Sequence, residues 1–189
     1  MTVISYVMWA LALLAVAGGI VAAVLATRLQ RAPLALLCLV PVGGGLLVAA
    51  FGVDLLPSAR PYGVVLALGV AAIGVLAGNP LTSYVLDLAT RNTVRRGAHG
   101  GILIRREGTG EEREVLRGGT TIGYLERVAI VGAIAVGHPE VIAALIAIKG
   151  LGRFSELESA AARERFIIGT LASMIWAAAC ALLVVVAAN

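Results

Sequence analysis

The stretch IGYLERVAIVGAIAVGHPEVIAALIAIKG, Ile122 to Gly150, decides how this chain folds. It is apolar almost throughout, yet it carries Glu126 and Arg127 near its start and Lys149 near its end. As one straight helix it would hold those opposite charges a bilayer apart. Its middle argues against that. In Gly137-His138-Pro139-Glu140 the glycine can close one helix in the left-handed conformation. Proline and glutamate suit the first turn of the next, where a missing N–H is harmless and a carboxylate favours the helix dipole. A helical hairpin is expected. Glu126 lies twelve residues before His138 and Lys149 eleven after it. On antiparallel arms those counts are about 18 Å and about 16.5 Å of rise. Glu126 and Lys149 should therefore meet at one depth near the cytoplasmic boundary, as a pair or as a cluster with Arg127 and Arg153. Arms of about 16 residues are about 24 Å long, which leaves open whether the hairpin spans the bilayer or re-enters it.

The rest of the chain sets this stretch in lipid. Of 189 residues, 60% are hydrophobic and 14% charged, against about 45–50% and about 25% in soluble domains. The excess sits in long runs, which marks a polytopic membrane protein. Before the hairpin come apolar runs at Val3–Thr27, Pro33–Val53 and Pro61–Leu88, and after it one at Phe166–Ala188. No Lys or Arg precedes the first run, so it reads as a retained helix, not a cleaved signal. The fold class is all-α, with about six transmembrane or re-entrant helices. Two β-capable runs flank Gly-Thr-Gly at 108–110, which suggests a short cytoplasmic β-hairpin. Three regions follow: 1–90, a three-helix membrane region; 91–119, a polar loop; 120–189, the hairpin and last helix.

Charge orients the chain. Arg28 and Arg31 follow the first run, seven arginines lie between Arg91 and Arg117, and Lys149, Arg153, Arg163 and Arg165 precede the last run. Placing these three segments in the cytoplasm satisfies the positive-inside rule and puts both chain ends outside. Fourteen of the fifteen basic residues are arginine; with the abundant Ala, Val and Gly this suggests a GC-rich bacterial genome and the inner membrane.

Three ordered segments, RGGTTIGYLER (117–127), KGLGRF (149–154) and RERFIIGTLAS (163–173), resemble the carboxy-terminal membrane region of a widespread bacterial inner-membrane family known only as a domain of unknown function. The likeness covers roughly 117–174. It supports the placing of the charged cluster and implies no activity. The first helices of that family carry a His and an Asp–Phe pair, which the first two runs here lack.

Three groups stand out as candidate sites. Glu126, Arg127, Lys149 and Arg153 form an ion-pair or pathway cluster, since ionisable residues within apolar runs mark function by default. Asn79, Pro80, Ser83 and Asp87 suggest a helix broken at proline, the way many transporters build a polar site. Arg91, Arg95 and Arg96 suit anionic lipid headgroups. His138 and His99 have no second ligand at metal spacing, and Cys38 and Cys180 read as packing residues within apolar runs. No nucleophile motif, phosphate loop or nucleic-acid module is present, so neither metal nor cofactor is expected, and no nucleic-acid partner. Membrane lipids and either further copies of the chain or a larger complex are the expected partners. The leading expectation is a transporter- or channel-like homo-oligomer. The alternatives are an accessory or scaffold subunit and, less favoured, a lipid-processing enzyme.

Overall fold

The structure, a computed structural model, describes residues 3–52, 57, 59–89, 102–105, 112–115, 118–152 and 160–188. Its elements in order are α1 (Val3–Arg28), a 3₁₀ helix (Ala32–Cys38) running into α2 (Leu39–Ala50), and α3 (Arg60–Ala89). Strands β1 (Ile102–Arg105) and β2 (Glu112–Val115) follow, then α4 (Gly119–Ala135), α5 (Val141–Gly152) and α6 (Ala160–Ala188). Among the described residues, four helical segments are long and apolar enough to cross a bilayer: α1, residues 32–50, α3 and α6. β1 and β2 pair antiparallel, Ile102 opposite Val115 and Arg105 opposite Glu112. The Gly-Thr-Gly turn expected at 108–110 lies outside the described residues.

The second apolar run departs from the expected single α-helix. Pro41 has no N–H to bond the Leu37 carbonyl four residues back, so the α-helical ladder lacks a bond at this point of the run. The chain leading up to it winds as a 3₁₀ helix from Ala32 to Cys38 and becomes α-helical only from Leu39. The Cys38 thiol donates to the Gly19 carbonyl at 3.2 Å, tying this segment to α1.

Glycines show how the helices are threaded. The Trp9 indole donates to the Tyr62 carbonyl at 3.0 Å, and a Cβ on Gly19 would meet Ile73, so α1 and α3 run parallel. Trp9 and Tyr6 both pack edge-on against the Tyr62 ring at the start of α3. Gly63 faces the Ala187 carbonyl, Gly74 faces Cys180, and Gly169 faces Thr82 and Leu86. α6 therefore runs antiparallel to α3, and the start of α1 and the end of α6 share one end of the bundle. The core lies along these contacts, where Ile73, Ala77, Cys180 and Ala181 are fully buried.

Gly63 gives the first expected outcome. A Cβ there would overlap the backbone carbonyl of Ala187, which cannot rotate away. Gly63→Ala should lower stability in detergent by about 1–2 kcal/mol, the scale of mild overpacking at helix ends that can splay. Thermal unfolding followed by circular dichroism checks this; an unchanged midpoint refutes the close approach.

The decisive stretch does fold back on itself. α4 ends at Val136, and Gly137 takes φ +80°. The N–H groups of His138 and Gly137 donate to the carbonyls of Ala133 at 2.8 Å and Ile134 at 3.1 Å, the paired closure of a Schellman ending. Residues 138–140 turn the chain into α5, with the Val141, Ile142 and Ala143 N–H groups bonded back to them. His138 Nδ1 lies 2.8 Å from Glu140 on the exposed tip. Held first by its own backbone N–H and then by His138, the Glu140 carboxyl lies below the usual carboxylate range.

Candidate functional site

Arg127 is the centre of the molecule. Its residue is 1% exposed, the largest fully buried side chain among the described residues. Nε donates to the Val75 carbonyl at 2.9 Å, Nη2 to Asn79 Oδ1 at 2.9 Å, and Nη1 to Ser173 Oγ at 3.1 Å. The guanidinium carbon also lies 5.1 Å from the Tyr124 ring centroid. One side chain of α4 thus joins α3 and α6, using the planar fork that distinguishes arginine from lysine.

Glycine makes room for it. A Cβ on Gly78 would fall 2.8 Å from Arg127 Cζ, and one on Gly123 would fall 3.1 Å from Nη1 and 3.2 Å from Asn79 Oδ1. Both positions therefore need the smallest residue for the guanidinium to reach its acceptors. The depth follows from the same contacts. Val75 is fifteen residues from the start of α3 and fourteen from its end, and Ser173 is thirteen and fifteen from the ends of α6. Arg127 lies at mid-length of both long helices, about 12 Å along α4 from Gly119. Consecutive helical residues point about 100° apart, so Arg127 faces inward while Glu126 faces α5.

Glu126 forms the second half of the arrangement. Lys149 Nζ lies 2.5 Å from its carboxylate, with side chains 16% and 9% exposed. The ammonium also lies 5.8 Å from the Phe166 ring centroid at the head of the last apolar run. The two arms of the hairpin are thereby joined by charge, and Arg127 belongs to a different set of contacts from this pair. Among the described residues no carboxylate lies within bonding reach of Arg127, because Glu126 is engaged by Lys149. The cluster of Glu126, Arg127 and Lys149 carries a formal charge of +1 (two cations, one carboxylate).

The proposed broken helix needs correction. α3 runs unbroken through Pro80, which is buried inside it. Proline removes one backbone bond, but α3 is the helix packed by α1, α4 and α6, and that packing outweighs the loss. Ser83 Oγ donates to the Asn79 carbonyl at 2.8 Å, four residues back along the same helix. Of the four residues grouped there, Asn79 reaches Arg127, Ser83 serves the backbone, and Asp87 is exposed. Arg91, Arg95, Arg96 and Arg153 lie outside the described residues. Among the described residues no group of three metal-ligand side chains comes together.

The sequence marks Gly78, with Gly74, as a place of close helix approach and Thr82 as part of the polar end of α3; it does not single out Tyr124, Gly123 or Ser173. A polar residue deep in each of two long apolar runs, Asn79 and Ser173, is the signal that could have pointed to a buried donor on a third helix. Comparison of the chain with protein-family models, curated proteins and solved structures finds no match.

Proposed function

We propose that this chain is a small multi-pass membrane protein of transporter or channel type, in which the Arg127 centre lies on the path. Arg127 carries the reading. A guanidinium buried at mid-length of two apolar helices is expensive to hold in lipid and is typically kept for ion or solute pathways. The arginine-rich end of the bundle, holding Arg28, Arg31 and the start of α6, faces the cytoplasm by the positive-inside rule. The Tyr6, Trp9 and Tyr62 cluster at the other end suits the opposite interface, where aromatic belts sit. Residues 91–119, with the strand pair, then lie on the cytoplasmic side, and both chain ends lie outside.

In this reading the path runs within each copy beside Arg127, and copies of the chain associate through α5. α5 is apolar and has no buried residue. That same observation favours a second reading, an accessory subunit whose partner covers α5. Purified chain in lipid vesicles separates them. Flux of protons, potassium, chloride or small carboxylates is expected, and it should fall at least tenfold in Arg127→Gln that remains monodisperse. No flux across that panel by the folded protein, together with a stoichiometric companion recovered from native membrane, would overturn the transport reading.

A further inference from the structure

We propose that the Arg127 centre binds a small monovalent anion, a halide or a carboxylate group, against the guanidinium and the Asn79 amide. The first reason is charge. Among the described residues the cluster of Glu126, Arg127 and Lys149 has one more cation than anion, and its single carboxylate is held by Lys149 at 2.5 Å. A buried charge is ordinarily neutralised by a partner. The second reason is hydrogen bonding. Arginine has five N–H donors, and three of the guanidinium's nitrogens each make one bond, to Val75, Asn79 and Ser173. Asn79 accepts through Oδ1, and its Nδ2 is buried with no partner among the described residues. Thr82 Oγ1, three residues along α3 and so on the same face, is likewise buried and unpartnered. So is the indole Nε1 of Trp176, a residue 7% exposed, one turn along α6 from Ser173. Of these three unpartnered atoms, all on residues within about one turn of Asn79 or Ser173, the Asn79 and Trp176 nitrogens are donors only, and the net charge of the cluster is positive. Both deficits are met by one acceptor carrying a negative charge, and buried polar groups are rarely left unpaired.

This inference takes its role from the transport reading, but binding is measured without flux. The full chain in uncharged detergent is unfolded thermally while chloride replaces methanesulfonate at fixed ionic strength, with formate as a second arm. A saturable rise in Tm is expected; response to chloride alone assigns a halide site, and a stronger response to formate a carboxylate site. Asn79→Asp places a carboxylate beside the guanidinium and should abolish the dependence. Thr82→Val should weaken the apparent affinity about tenfold, the scale of one bond to a charged group. Should Asn79→Asp not fold, Trp9→Phe leaves Trp176 as the only tryptophan, and its quenching by iodide should saturate. A flat Tm response, an Asn79→Asp variant as responsive as the parent, or strictly linear quenching overturns the proposal. So does stability that follows protein concentration and not anion, which would give the counter-charge to a second copy. Binding without flux leaves the anion site standing and removes the transport reading. Flux without any anion response does the reverse.

Discussion

Glu126→Gln should be among the most damaging single changes in the chain, lowering stability in detergent by about 3 kcal/mol, since removing one partner of a buried pair strands the other charge. Its neighbour in this case is the Lys149 ammonium, 2.5 Å away on the returning arm of the hairpin. With the carboxylate gone, the cluster's formal charge rises from +1 to +2. Lys149 keeps some access to its surroundings, with its side chain 16% exposed, which holds the effect near the lower end of the range for buried pairs. The double variant Glu126→Gln, Lys149→Met removes both charges and should recover most of the loss, because an apolar replacement of a buried pair is often neutral or better. Unfolding midpoints of the parent, Glu126→Gln, Lys149→Met and the double variant in one detergent give the coupling. A double variant no more stable than Glu126→Gln alone would show that the pair does not join the arms.

That pair was readable before any coordinates because it depends on counting. Gly137 and Pro139 mark a turn, and twelve residues against eleven set Glu126 and Lys149 at one level. The long helices were readable for a similar reason: each is a run of apolar residues longer than a bilayer requires. Arg127 was not readable in the same way. Its sequence position beside Glu126 suggested a shared role at the boundary, yet a rotation of about 100° per residue sends the two side chains to different helices. Knowing where Arg127 goes requires knowing that α3 and α6 flank α4, and that Gly78 faces it. These are tertiary facts. The same limit explains Pro80. Its local chemistry argues for a break, and only the packing of three helices around α3 holds the helix continuous.

The notch at Gly78 supplies the sharpest test of the Arg127 centre. Gly78→Ala adds one methyl group, and in an exposed helix interior it would stabilise by about 1 kcal/mol through propensity alone. Here the added carbon would lie inside contact distance of Arg127 Cδ and 2.8 Å from Cζ. An arginine tip could ordinarily swing away from such an overlap. This one is fixed by bonds to Val75, Asn79 and Ser173, so moving it breaks at least one of them and leaves buried acceptors unpaired. Overpacking of this kind costs about 1–3 kcal/mol, and a lost bond inside a helical membrane bundle adds about 0.6 kcal/mol on average. A net loss of about 2 kcal/mol is expected once propensity is set against it. Gly132→Ala on α4 is the control, because a Cβ there meets nothing within 4 Å; it should be neutral or slightly stabilising. Adding Arg127→Met to Gly78→Ala should bring the combined loss well below the sum of the two single losses, since the unbranched thioether can yield where the anchored guanidinium cannot. If Gly78→Ala matches Gly132→Ala in its unfolding midpoint, the guanidinium does not occupy the notch. The anion site and the path drawn through it would then lose their common support.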